Sequence, residues 1–262
     1  GQDAFTVVGT GLTYNDGVEN LAVKGGAFRC NNLRISGGEM KRKPMVTPAM
    51  QYLLTNGQFF GLQGTTNWFS FLARVDGPLQ RIIGTTTNWL GTQGIELNKA
   101  ANSTMDNFER VMMGARCSVG GYDRLLSNRW IIGGFGGAVP DNGLYTGTVE
   151  IVSGQTVFYV ARLIYGAPTR SNILATMWIN PALSNEPSES SGVTPPVWNM
   201  MWQFLSNPAE IREWNAFTLD GAVGAFFATN NLSYGYIDEL RFGQTYRDVA
   251  PRDYEISPVS QP

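Results

Sequence analysis

Short apolar runs alternate with polar turns along the chain. Runs of roughly six to nine residues, rich in aromatic and β-branched side chains, are separated by Gly, Asn, Asp or Pro. The pattern is strictest in NWFSFLARV (67–75), where every second residue is apolar and shares one face of a predicted strand. TVFYVARLIYG (156–166) and ILATMWINP (173–181) predict a hairpin, and RWIIGGFGG and TGTVEIV predict two more strands.

Helix signals are sparse. SNPAEIREW (206–214) has a proline near a first helical turn and predicts one short helix, and TPAMQYLLTN (47–56) predicts a helical turn or two. Many short strands with few helices indicate an all-β protein, a two-sheet antiparallel β-sandwich of the jelly-roll type with one or two short helices.

The composition of the chain argues against several classes of function. The charged fraction of 15% is below the roughly 25% typical of soluble domains, and a net charge of −2 gives no field that would attract nucleic acid. No apolar run reaches the roughly 18 residues of a membrane span. Histidine is absent, which removes Ser-His-Asp catalysis and histidine-based metal sites. Because the first residue is Gly1, we expect a processed product whose targeting segment precedes it.

The two cysteines leave two alternatives open. Cys30 and Cys117 can pair in a disulfide, which would suit an oxidising compartment, or they can remain two buried thiols. Two cysteines are too few for a disulfide scaffold or a cysteine-only metal centre.

Four motifs in order resemble one family. IDELRFGQTYRDVAP (237–251) resembles the terminal strand of concanavalin A-like, or laminin G-like, jelly-roll domains of the lectin and glucanase type. GTGLTYNDG (9–17) followed by KGGAFR, the strand WFSFLARV, and VFYVARLIYG leading to ATMWINPALSNEP are similar to a branch found in large bacterial secreted and surface proteins. The resemblance implies one domain over 1–262, secreted or on the cell surface. The stretch 88–128 matches no family pattern and is interpreted as a variable insertion, with a short tail at 251–262.

The closing strand carries charges among apolar residues. Leu240 and Phe242 share one face by period two, whereas Ile237 breaks that parity and predicts a bulge near Asp238. A carboxylate at a bulge can accept backbone N–H groups that the ladder leaves unpaired. We therefore favour a structural role over a catalytic one for the closing-strand residues Ile237, Asp238, Glu239, Leu240 and Phe242.

Three arginines suggest a binding surface. Each lies within a strand-like stretch, opposite its most apolar face: Arg74, Arg162 and Arg241. If their strands are neighbours, the guanidinium groups can form a platform for an acidic or hydroxylated glycan. The alternative, which we favour, is a row of cross-strand ion pairs on an exposed sheet face.

Aromatic residues complete the candidate carbohydrate site. Exposed rings stack on sugars, and the candidates are Trp68, Trp89 and Tyr122, with Trp130 and Trp178 considered beside them. The alternative for a strand tryptophan is a place in the core.

Metal and cofactor expectations are few. Calcium is common in laminin G-like domains, and Asp16, Asp141 and Asp220 lie in Asn- and Gly-rich turns that could supply its ligands. The same dipeptides form ordinary hairpin turns, so no ligand set is assigned. No other cofactor is expected.

These observations favour a non-catalytic extracellular or cell-surface protein. Our leading hypothesis is a structural subunit of a filament, sheath or coat, acting through self-association or contacts with other surface-layer subunits. The alternative is a carbohydrate-binding module for an extracellular polysaccharide. A glycoside hydrolase is less favoured, because the adjacent Asp238 and Glu239 point to opposite faces and cannot form its carboxylate pair. Alginate-lyase-type sandwiches normally use a histidine and a tyrosine, and this chain has no histidine.

Overall fold

The computed structural model describes residues 5–31, 38–42, 48–55, 57, 59–77, 80–83, 86–89, 92–98, 110–116, 129–135, 144–166, 173–193, 216–222 and 234–253. The strands in these residues are, in chain order, β1 (Phe5–Val8), β2 (Ala27–Asn31), β3 (Gly38–Arg42), β4 (Leu54–Thr55), β5 (Phe59–Phe60), β6 (Thr66–Asp76), β7 (Gln80–Ile83), β8 (Thr86–Trp89), β9 (Thr92–Asn98), β10 (Arg110–Arg116), β11 (Arg129–Phe135), β12 (Leu144–Glu150), β13 (Thr156–Tyr165), β14 (Ile173–Ile179), β15 (Ala216–Ala222) and β16 (Tyr234–Gly243).

Two six-stranded antiparallel sheets form the body. The first sheet has the order β1-β2-β16-β6-β13-β14, and the second sheet has the order β12-β11-β10-β9-β15-β3. The predicted all-β, two-sheet sandwich is therefore confirmed, as is the hairpin of β13 and β14. Strands β9 and β10 lie within the stretch 88–128 and are central in the second sheet.

The core lies between the two sheets. The predicted alternation of β6 is confirmed: Phe69, Phe71, Ala73 and Val75 face the core. The second sheet contributes Ile95, Leu97, Met113 and Ile132 to the same cluster. A buried bond joins the layers, because the Tyr159 hydroxyl of β13 donates to the Ile131 carbonyl of β11 over 2.7 Å.

A third layer covers part of the first sheet, on the face turned away from the second sheet, called here the outer face. Trp68, Leu72 and Phe158 of this face are buried beneath three segments, 10–26, 180–193 and 244–253, which supply Leu12, Leu21, Leu183, Tyr246 and Val249. The segments also bond to one another, as when the backbone N–H of Ala22 donates to the Pro251 carbonyl over 3.0 Å. Residues 10–26 are called the roof segment below.

The helices are short. A 3-10 helix at Pro48–Leu53 confirms the predicted helical turn, a second covers Glu189–Ser191, and the α-helix α1 spans Tyr246–Val249. Thr245 caps α1, since its hydroxyl accepts from the N–H of Asp248, whose carboxylate accepts from the N–H of Thr245. The predicted helix at 206–214 lies outside the described residues. No helix in the described part of the chain is long and apolar enough to cross a membrane.

Candidate functional site

The closing strand β16 has a bulge where the sequence predicts one. Its register with β6 shifts between Asp238 and Arg241, and Glu239 has a φ of 50°, in the left-handed region. A non-glycine residue there is held by its surroundings. The bulge turns the side chains of 238, 239 and 241 toward the roof segment.

These three side chains fasten the roof segment to the sheet. The N–H groups of Leu12 and Glu239 donate to the Asp238 carboxylate, over 2.6 and 2.9 Å. The Glu239 carboxylate accepts from the N–H of Lys24 and from Arg241 over 2.7 Å, and Arg241 also donates to the Ala22 carbonyl. Asp238 is only 5% exposed, and this burial raises its pKa, although the donated hydrogen bonds act in the opposite direction.

Trp68 and Arg162 meet under another segment of the third layer. The Trp68 and Trp178 rings stack at 5.5 Å, and the Arg162 guanidinium lies 5.5 Å from each ring centroid. Glu189 and Glu186 pair with Arg162 over 2.8 and 3.5 Å. Trp68 is 2% exposed and its ring also contacts Tyr246 at 5.5 Å, so it is a core residue and not an exposed ring for stacking on a sugar.

The three predicted arginines share the outer face but do not meet. Arg74 lies opposite Thr156 and Arg162 lies opposite Trp68, which places them six register positions, or about 20 Å, apart along the strands. Each has an acidic partner of its own, but none of these three partners lies on a neighbouring strand. The pairs therefore differ from the cross-strand ion pairs that the favoured interpretation expects.

Arg74 instead belongs to a polar row that crosses five strands at one register level. The members of this Arg–Tyr row are Thr6 of β1, Arg29 of β2, Tyr236 of β16, Arg74 of β6 and Thr156 of β13. All five are partly exposed. Tyr234 and Asp76, opposite each other at the next level along the face, are also partly exposed.

Stacking and ion pairing order the two arginines of the row. The guanidinium of Arg74 lies 4.5 Å from the ring centroid of Tyr236, and that of Arg29 lies 5.1 Å from that of Tyr234. Asp76 accepts from Nη2 of Arg74 over 3.0 Å, and its Oδ1 lies 2.9 Å from Nε as an ion pair; both side chains remain 30% exposed. This ion pair with one hydrogen bond orients a guanidinium that still reaches solvent.

The sequence interpretation missed Arg29, Tyr234 and Tyr236. The available signal was the period-two pattern of YGYID, which puts both tyrosines on the same face of β16. Their alignment with Arg29 and Arg74 depends on pairings between distant strands, which no local pattern reveals.

Other predicted residues are only partly described. Trp89 ends β8, and Cys30 lies opposite Phe5 in the first sheet, but the side chains of Trp89 and Cys30 lie outside the described part. Tyr122 and Cys117 also lie outside it. The disulfide and the roles of Trp89 and Tyr122 stay predictions.

The calcium candidates have different surroundings. The Asp16 carboxylate accepts from the backbone N–H groups of Val18, Glu19 and Leu183, each at 2.8 Å. Burial raises the pKa of Asp16, but these hydrogen bonds outweigh it and the pKa lies below its ordinary value. Asp220 lies directly across from Glu39 in the second sheet. Within the described residues, no three acidic, histidine or cysteine residues form a possible metal site, and Asp141 lies outside them.

Comparison with known proteins gives weak structural likenesses. No family model and no curated protein matches the chain. An endo-β-1,4-glucuronan lyase from the fungus Trichoderma reesei has a TM-score of 0.47 at 12% identity, covering 95% of this chain and 91% of that chain. A marine alginate lyase from Aplysia kurodai has a TM-score of 0.45 at 7% identity, covering 93% and 88%. A conserved carbohydrate esterase from a Shiga toxin-encoding bacteriophage has a TM-score of 0.45 at 11% identity, covering 91% and 89%.

These comparisons correct the functional prediction. The proteins named are carbohydrate-active enzymes, and none is a filament, sheath or coat subunit. The predictions of a non-catalytic assembly subunit and of a chain that is not an enzyme are therefore wrong by this comparison. Since each of these TM-scores is below 0.5, the likenesses assign no activity and no functional residue to this chain.

Proposed function

We propose that this chain is a carbohydrate-active protein that binds an acidic polysaccharide along the Arg–Tyr row. The observation that carries the proposal is the pair of guanidinium groups, each stacked on a tyrosine ring, on a partly exposed sheet face. Guanidinium groups recognise carboxylates through paired hydrogen bonds, and side chains held by stacking lose less conformational freedom when a ligand binds.

The location of the row supports the same function. Across most of the outer face the strands are buried under the third layer, whereas the row lies at one end and keeps access to solvent. A sheet face with aligned polar side chains can contact several units of a polymer at once. Acidic polysaccharides are abundant outside cells, in keeping with the predicted secreted or cell-surface location.

Affinity electrophoresis tests the proposal. Native gels containing glucuronan, alginate or a neutral glucan are run with the wild type and with Arg74→Gln. We expect the acidic polymers alone to retard the wild type, and Arg74→Gln to reduce the retardation severalfold. Release of reducing ends from the retained polymer measures whether it is also cleaved.

A matched control is available on the other sheet. Arg129 is 40% exposed and pairs with Glu150 at 3.8 Å, so Arg129→Gln removes an exposed arginine of the second sheet. Retardation that falls equally in both variants would reflect only net charge. A wild type that migrates identically in all gels would contradict the proposal.

A further inference from the structure

The third layer contains a stretch that has almost no apolar side chain. Residues 184–191, called the strap below, have the sequence SNEPSESS. Every residue of the strap except Pro187 is exposed. Hydrophobic burial therefore does little to hold the strap against the outer face. Leu183, directly before the strap, is fully buried instead.

Both ends of the strap are fixed. Before it, the N–H of Leu183 donates to the Asp16 carboxylate over 2.8 Å, and the Leu183 carbonyl accepts from Arg247 over 3.4 Å. After it, Val193 and Met177 exchange two backbone hydrogen bonds, over 2.9 and 3.1 Å. The strap therefore joins two attached points, and it can move between them without freeing either one.

Three polar contacts join the strap to the sheet within the described residues. The carboxylates of Glu189 and Glu186 lie 2.8 and 3.5 Å from the guanidinium of Arg162. Trp178 Nε1 donates to the Ser188 carbonyl over 2.9 Å. Two of these contacts are ion pairs to one side chain, so the attachment of the strap depends mainly on Arg162.

Other hydrogen bonds of the strap are local. The N–H and the hydroxyl of Ser191 both donate to the Ser188 carbonyl, over 3.1 and 2.7 Å, and the N–H of Gly192 donates to the Glu189 carbonyl over 3.1 Å. These bonds belong to the 3-10 turn at Glu189–Ser191. Because they do not involve the sheet, lifting the strap breaks only its contacts with Arg162 and Trp178.

We propose that the strap is an ionic latch, which lifts off Arg162 and Trp178 as one unit while the body of the protein stays folded. Arg162 closes the latch by holding both carboxylates. The side chains of Glu186 and Glu189 are 54% and 52% exposed, so dissolved salt reaches the two ion pairs and weakens them. Ionic strength therefore controls the access of solvent and anions to the Arg162 guanidinium.

Hydroxyl-radical footprinting read by mass spectrometry tests the latch, because it reports the oxidation of each tryptophan separately. Trp178 is 4% exposed, and lifting the strap uncovers the edge of its ring. We expect the oxidation rate of Trp178 in the wild type to rise about threefold to tenfold from low to high sodium chloride, as for two exposed ion pairs. Trp130, which is 1% exposed in the core, should remain protected at both salt concentrations.

Removing the two carboxylates gives the matched variant. The double variant Glu186→Gln, Glu189→Gln should show the high-salt oxidation rate of Trp178 already at low salt. Glu150→Gln, which removes an exposed, ion-paired glutamate of the second sheet, should behave as the wild type does. Oxidation of Trp178 that is independent of salt in the wild type, or unchanged in the double variant, would overturn the latch. A parallel rise for Trp130 would also overturn it, because the body rather than the strap would then be opening.

Discussion

Asp238→Asn gives a direct test of how the closing strand holds the roof segment. Asp238 accepts two backbone N–H groups in a nearly water-free position. Asparagine keeps the shape but replaces one acceptor oxygen with an NH₂ group, which then faces an N–H donor. One buried N–H loses its partner, so we expect the free energy of unfolding to fall by about 1–3 kcal/mol.

The pH dependence of this loss in unfolding free energy is a more specific test than its size. Burial raises the pKa of Asp238 above its ordinary value of 3.8, so the folded state holds this proton more tightly than the unfolded state does. Protonation of Asp238 therefore adds to the free energy of unfolding. This addition is fully present below pH 3.8 and is lost as the pH rises through the folded-state pKa. The asparagine of the variant cannot titrate. The difference in free energy of unfolding between the wild type and the variant should therefore shrink as the pH rises from 3.8 through the folded-state pKa of Asp238.

Asp16→Asn is the matched control, because its loss of stability should change with pH in the opposite direction. The pKa of Asp16 lies below its ordinary value of 3.8 because three backbone N–H groups bind its charged form despite partial burial. Its contribution to stability is present above pH 3.8 and lost as the pH falls through the folded-state pKa. The loss of unfolding free energy in Asp16→Asn, relative to the wild type, should therefore grow as the pH rises.

Urea unfolding monitored by tryptophan fluorescence, repeated across the acidic range, measures both deficits. The chain has no histidine, so the carboxylates dominate the titration there. If the deficit of Asp238→Asn grew with pH as that of Asp16→Asn is expected to do, Asp238 would not be a desolvated carboxylate and the account of the roof attachment would fail.

Three further changes have definite expected outcomes. Gly11→Ala places a methyl group 2.7 Å from Asp238 Oδ2, so it should lower the melting temperature, measured by calorimetry, and unchanged melting would contradict the close packing of the roof segment. Tyr159→Phe removes the bond to Ile131 between the sheets and should lower the free energy of urea unfolding by about 1–2 kcal/mol; no loss would mean that this bond contributes nothing. Asp76→Asn removes the carboxylate that pairs with Arg74 and orients its guanidinium, so alginate in a native gel should retard the variant less than the wild type, and unchanged retardation would contradict the orienting role.

Local sequence patterns predicted those parts of the fold that depend on a single strand or hairpin and not on pairing between distant strands. The alternation in 67–75, the hairpin of β13 and β14, and the irregular parity around Asp238 were all visible without partner strands. Strand β3 (GEMKR) could not be recognised from the sequence, because it is short and mostly polar and pairs with the distant β15. The third layer was also missed, since the sequence does not show that the apolar residues of 10–26 pack on the outer face of β6 and β13.

The polar residues on one face of β16 have two different roles. Period two puts Tyr234, Tyr236 and Asp238 on the same side of the strand. The tyrosines lie where the face is partly open to solvent and stack with arginines, whereas Asp238 lies under the roof segment and binds its backbone. The bulge at Glu239 marks the change between these environments. The same strand therefore closes the sheet and positions the candidate site, and a catalytic carboxylate pair is not needed to explain its charges.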